Sequence, residues 1–205
     1  AFIVEANEKR DTIHYWLRDT MLVNIDTLLM DVTYRMTDTL GNLVLHTDSA
    51  FEALVKVPYE KRVKDMAKEI EKWQKEQEKK KKRDEKYDSI YPVKPLEPKF
   101  NVPSTLDPDH KTTVEMPTPL MYCDTSAVHL YSKIDTLWYD ADCIFRPIEN
   151  QVRQYEILVD WRPGVEYSLE IDSAAFVDIY GLASKPIKQG IKVKAMDEYS
   201  SLMLN

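Results

Sequence analysis

Apolar and polar side chains alternate along residues 28–37. Leu28, Met30, Val32, Tyr34 and Met36 share one side, and Asp31, Thr33, Arg35 and Thr37 share the other with Leu29. A period of two predicts a strand with one face apolar. Ile13, Tyr15 and Leu17 alternate with His14 and Trp16 in a shorter strand. Leu40-Gly41-Asn42 signals a hairpin turn before a strand around Leu43–Leu45, and a last strand covers roughly Phe51–Val57. Residues 1–58 therefore read as a β-domain.

The period changes at Tyr59. From there to about Lys86 the chain is dense in Lys and Glu and contains neither Gly nor Pro, which predicts a helix. Val63, Met66, Ile70 and Trp73 form one apolar stripe, expected to pack on a flanking β-domain. Beyond Trp73 only charges remain, so the distal end is expected to project into water. The run Lys79–Arg83 suits a solvated helix C-terminus, because lysine complements the dipole there and acidic residues are interleaved. An anionic partner is the competing explanation. Helix and connector occupy residues 59–93. The prolines of Tyr91-Pro92, Lys94-Pro95, Glu97-Pro98, Val102-Pro103 and Asp107-Pro108 predict an extended, stiff lead into the next domain.

Residues 94–198 carry the most regular pattern. Short strands are predicted at Thr112–Met116, Ala127–Tyr131, Asp135–Tyr139, near Cys143–Phe145 and near Ile191–Val193. Tyr155, Ile157, Val159 and Trp161 alternate with polar neighbours and with Leu158, and Val165, Tyr167, Leu169 and Ile171 do so after the turn Arg162-Pro163-Gly164. Short strands joined by turns at intervals of roughly ten residues predict an antiparallel sandwich.

The stretch Asp160-Trp161-Arg162-Pro163-Gly164-Val165-Glu166-Tyr167-Ser168-Leu169-Glu170-Ile171 resembles the L-x-P-G-x-x-Y-x-L-x-I signature of bacterial Ig-like domains of the S-layer-protein type. Asp178-Ile179-Tyr180-Gly181 resembles the D-x-x-G turn before that family's last strand, and Asn101–Ser104 with Lys111–Pro119 resembles its opening. The likeness covers about half the chain. The order of a β-region, a Lys/Glu helix and this domain is similar to Ig-like-domain surface lipoproteins of Bacteroidales. The expected fold class is thus all-β: an immunoglobulin-like antiparallel β-sandwich, preceded by a smaller β-domain, read either as a separate β-unit or as a partial sandwich of this kind, and a long charged helix. The resemblance implies a spacer or presenting module in an exported protein of the outer membrane or cell surface, and it carries no catalytic residues across. One departure is the apolar segment Ala174-Ala175-Phe176-Val177, where a loop of the family is exposed. It is expected to tuck under the sandwich edge or to form a short helical turn.

Composition narrows the partners. The net charge of −7 argues against nucleic acid, whose binders neutralise phosphates with Lys and Arg. No apolar run approaches the roughly 20 residues that span a bilayer, so membrane contact is expected only through an anchor outside this sequence. Both ends are apolar and strand-like, with no leader at Ala1–Val4 and the start of a following segment at residues 199–205, so the chain is read as an excerpt or a processed form of a longer protein. Four scattered histidines (His14, His46, His110, His129) offer no zinc spacing. Cys123 and Cys143 are either two half-buried small residues or, in an oxidising compartment, a disulfide.

Repeated Asp-Thr pairs (Asp11-Thr12, Asp19-Thr20, Asp26-Thr27, Asp38-Thr39) lack the dense acidic spacing of an EF-hand and are read as turn formers. No nucleophile, phosphate-loop or metalloprotease motif is present, and Asp140 with Asp142 on one strand face is equally a solvated face. No enzyme activity and no cofactor are expected. Candidate ligand contacts are Trp138, beside Tyr139, and Trp16, beside Tyr15. In each pair one ring should face the core and the other the solvent. The expected partner is a protein or a glycan.

Overall fold

The computed structural model describes residues 2–7, 9, 12–103 and 105–199. The described residues are mostly β, 43% strand against 18% helical, in several antiparallel sheets. It divides into two compact units. Strands β1 (Phe2–Ala6) and β2 (Ile13–Leu17) form a two-stranded sheet. Nearly all of it, Ile3–Trp16, belongs to the second unit, although its place in sequence had put it in a β-domain of residues 1–58. Of the tail expected to start a following segment, residues 199–205, all but Tyr199 lie outside the described residues, as does Asp11 of the first Asp-Thr pair.

The first unit, essentially Leu17–Pro92, is built on β3 (Thr27–Thr37), β4 (Leu43–Leu54) and α1 (Tyr59–Lys82). β3 and β4 pair antiparallel along their whole length, with a register shift between Met30 and Val32. The sequence suggested two strands where β4 runs as one. The polar stretch between them is absorbed at Ala50, whose φ is +61° and whose N–H donates to Asp31 Oδ1 at 3.2 Å. Carboxylates next to threonines act as local caps. Asp19 accepts from Met21 N, Asp38 Oδ1 accepts from Leu40 N and Asn42 N, and Asp26 accepts from Tyr59 N.

α1 ends at Lys82, earlier than its composition suggests. Asp84 turns the chain with φ +58°, and Glu85 N–H bonds back to the Lys80 carbonyl. The next residues return along the helix: Asp88 N donates to Gln77 Oε1 at 3.0 Å, and the Trp73 and Tyr91 rings meet edge-on at 5.4 Å. Both expectations for the helix hold only in part. The charged residues Glu78–Lys82 are exposed, but the return segment covers Gln77, and of the apolar stripe Ile70 and Trp73 are half-buried while Val63 and Met66 are 47% and 61% exposed.

The second unit contains two four-stranded sheets. In the first, β10 (Ile144–Pro147), β11 (Gln154–Leu158), β6 (Thr112–Glu115) and β5 (Lys99–Phe100) lie side by side in that order. In the second the order is β14 (Ile187–Lys192), β12 (Glu166–Ile171), β8 (Val128–Ile134) and β9 (Leu137–Asp140). Every pairing within them is antiparallel. A third pair joins β7 (Leu120–Cys123) to β13 (Phe176–Asp178). Alternate residues of both large sheets point into one core. Val114, Phe145 and Ile157 come from the first sheet, and Leu130, Tyr167, Leu169, Ile171 and Ile191 from the second. A sandwich is how two sheets, each apolar on one face, exclude water from both.

The apolar segment before Asp178 also finds its place. Ala175 and Phe176 are buried, Phe176 begins β13, and Ala174 turns the chain into it with φ +60°. Asp178 itself is fully buried. It accepts from Thr118 Oγ1 at 2.7 Å and from the N–H groups of Tyr180 and Leu182, closing a turn in which Gly181 takes φ +83°. At the other corner Trp161 and Tyr167 meet edge-on at 4.9 Å, and the Tyr167 hydroxyl accepts from Arg162 N at 3.0 Å.

Leu169 is fully buried at the centre of this core. Leu169→Ala is expected to lower the stability of the second unit by about 2–5 kcal/mol in a urea titration, as cavity-forming core substitutions do.

Candidate interaction surface

The outward face of the second sheet is ordered by strand register. β8 turns Val128, Leu130 and Ser132 inward and presents His129, Tyr131 and Lys133 outward. Lys133 lies opposite Trp138 on β9, and its ammonium sits 5.9 Å from the Trp138 ring centre. On its other side Lys133 Nζ donates to Glu166 Oε2 at 2.7 Å, and Glu166 in turn lies opposite Lys192. One row across four strands therefore reads Lys192, Glu166, Lys133, Trp138. A parallel row places Lys188 Nζ 2.6 Å from Glu170 Oε1, with His129 opposite Glu170. Ion pairing with Lys133 holds the Glu166 carboxyl below its ordinary range, and pairing with Lys188 does the same for Glu170. Between these rows run Gly190, Ser168 and Tyr131, so the middle of the face is low on the β14 side.

The two candidate tryptophans have different surroundings. Trp138 is 48% exposed, and so is Tyr139. The expectation that one of them turns into the core fails because β9 is a four-residue edge strand, exposed at every position. Trp16 is half-buried and already engaged. Its indole Nε1 donates to Glu5 Oε2 at 2.9 Å, and the Arg153 guanidinium lies 5.3 Å from its ring centre. Tyr15 is the more exposed of that pair.

Arg153 is the residue that sequence patterning did not single out. Its Nε donates to both oxygens of Glu5, at 3.0 and 2.8 Å, and its Nη1 donates to Glu115 Oε1 and the Met116 carbonyl. It joins the β1–β2 sheet to the sandwich across 148 positions of sequence. An isolated arginine in a polar loop gives no periodic signal, so nothing local marks it. Burial pushes the Glu5 carboxyl up, but the hydrogen bonds from Arg153 and Trp16 and the Arg153 charge outweigh it and hold the group low.

A cleft of about 670 Å³ opens where the ends of β9 and β11 meet the start of β10. Its apolar lining includes Ile144, Leu158 and Val159, and its charges are Asp140, Asp142, Asp160 and Arg162. The fold thus adds Asp160 to the Asp140/Asp142 pair. None of these three carboxylates has a hydrogen bond or an ion pair from its side chain among the described residues. Cys143 lines the same cleft. Cys123 and Cys143 are free thiols, and burial raises both above the ordinary cysteine range, Asp124 and Asp142 adding to the effect. Among the described residues no group of three His, Cys, Asp or Glu side chains is placed to hold a metal ion. Among the described residues no helix is long and apolar enough to cross a membrane.

No family model and no curated protein matches the chain.

Because folding lowers the Glu5 pKa, its contribution is present above the ordinary glutamate pKa and is lost as pH falls through the lowered value. The Trp16 indole N–H resonance should follow that titration in NMR spectra. Glu5→Gln, which leaves Arg153 without its charged partner at a site where both side chains are under 20% exposed, should cost about 1–3 kcal/mol.

Proposed function

We propose that the protein is a non-enzymatic structural and interaction module, an immunoglobulin-like sandwich with its attachments, that spaces or presents other parts of a cell-envelope lipoprotein. Two features support the immunoglobulin-like assignment. If the eight paired strands of the two large sheets are lettered A, B, C, C′, D, E, F and G in chain order, the first sheet reads D-E-B-A and the second G-F-C-C′. Tyr167, near the start of the strand lettered F, bonds back to the backbone five residues upstream, as the tyrosine corner of such domains does. The resemblance of Asp160–Ile171 to bacterial Ig-like domains falls on this same corner.

The observation that carries the spacer function is the outward face of the second sheet. Its acids and bases are paired with each other across strands, which suits a surface that stays in water and keeps the module apart from its neighbours. Neither a nucleic acid nor a cofactor is part of the proposed function.

The exposed Trp138 favours a second function, a carbohydrate- or protein-binding module using aromatic side chains on the sandwich face. Trp16 contributes little to it, because Arg153 lies over its ring and Glu5 takes its indole N–H. A glycan array probed with the intact chain and with Trp138→Ala separates the two. A spacer gives no saturable signal with either protein. Saturable binding to a defined glycan that Trp138→Ala abolishes would replace the spacer function with the lectin-like one.

A further inference from the structure

Each large sheet of the second unit has two edges, and they are not protected alike. β14 carries Lys188 and Lys192. β10 carries Arg146 and ends in Pro147, which has no N–H to offer. β5 is two residues long. β9 reads Leu137-Trp138-Tyr139-Asp140, with neither lysine nor proline, and every residue of it is exposed. Natural sheets seldom leave such an edge, because its unpaired N–H and C=O groups accept another strand.

The register shows which groups are open. Ala141 N donates to the Leu130 carbonyl at 2.8 Å, and antiparallel ladders alternate bonded and non-bonded positions. Tyr139 therefore bonds toward β8, and the main-chain groups of Trp138 and Asp140 point away from it. The C-terminal end of β9 opens onto the cleft whose walls combine Ile144 and Leu158, 60% and 37% exposed, with Asp140, Asp142 and Asp160, which have no ion pair among the described residues and outnumber the one base there, Arg162. Elsewhere on this unit many carboxylates are engaged: Glu115 and Glu156 by arginines, Asp107, Glu166 and Glu170 by lysines, Asp172 by His129.

We infer that the β9 edge adds an extended segment of a partner protein as a further strand, and that this segment is rich in apolar and basic side chains. Main-chain bonds to Trp138 and Asp140 supply the pairing. Side chains at alternate positions of the added strand reach the cleft, where apolar groups meet Ile144 and Leu158 and lysine or arginine meets the three aspartates. A second β9 is disfavoured as occupant, because it carries no lysine or arginine to meet the three aspartates. The inference rests on the module being an interaction module, and it names the chemistry of what the module holds.

The probe is an acetylated, amidated peptide of alternating lysine and valine, titrated into the isotope-labelled intact chain and followed by amide NMR. Saturable shifts centred on Trp138 and Asp140 are expected, with no saturation by the glutamate–valine peptide. The combined Asp140→Asn, Asp142→Asn and Asp160→Asn variant should bind about tenfold more weakly, three screened ion pairs having been removed. The combined Glu97→Gln, Asp109→Asn and Glu149→Gln variant, with the same change in charge, should bind as the parent does.

Trp138→Ala keeps the outward N–H and should keep peptide binding, whereas Trp138→Pro removes that donor and should lose it. A glycan site built on the ring would lose its ligand with both, so failure of strand addition and failure of the spacer function are told apart. Should Trp138→Pro not fold, the two charge variants decide. Strand addition is overturned by an absence of saturation, by shifts spread over the whole unit, by equal weakening in both charge variants, or by self-association that protects the same amides without peptide.

Discussion

The second unit depends on two sheet faces that cannot remain in water alone. β6, β10 and β11 turn Val114, Phe145 and Ile157 toward β8, β12 and β14, which answer with Leu130, Leu169, Ile171 and Ile191. Each fully buried side chain of this size contributes about 1.5–3 kcal/mol relative to exposure. The contribution exists only while both layers are present, so neither sheet has a core without the other. Once the inner faces are committed, alternation sends Lys133, Glu166, Glu170 and Lys188 outward, and register pairs them. The outward charge ladder is thus a consequence of the inner packing.

The corners follow from the same constraint. A chain leaving a two-layer core must turn without burying unpaired backbone groups. At one corner the Tyr167 hydroxyl accepts from Arg162 N, and at another the buried Asp178 carboxylate collects two N–H groups and the Thr118 hydroxyl. Strand edges are where the constraint is relaxed. Lysines on β14 and Pro147 on β10 close three-dimensional space to a further strand, and β9 lacks both devices.

Much of the sandwich was legible from period-two alternation, because burial on one face of a strand leaves that mark directly. Tyr167, Leu169 and Ile171 read as core, and they are core. Alternation carries no information about which strand lies at an edge, so it predicts opposite environments for Trp138 and Tyr139, which are equally exposed. The helix stripe misled in part, for a related reason. Val63 and Met66 sit at helical spacing yet stay exposed, while Gln77, a polar residue with no periodic signature, is buried by a return segment that only the turn at Asp84 creates. The cleft was half visible. Asp140 and Asp142 stand two apart in sequence, but Asp160 reaches them through the β10–β11 hairpin. Arg153 and its link to Glu5 were invisible, since no local pattern encodes a partner 148 positions away.

Residue-resolved hydrogen exchange on the intact chain tests most directly the claim that one shared core holds both sheets and leaves β9 open. The amides of Val114, Ile157, Leu169 and Ile171 should exchange slowest and share one opening free energy. The outward-pointing amides of Trp138 and Asp140 should exchange fast. Two separate opening energies, one for each sheet, or strong protection at Trp138 and Asp140 in the free chain, would contradict the account.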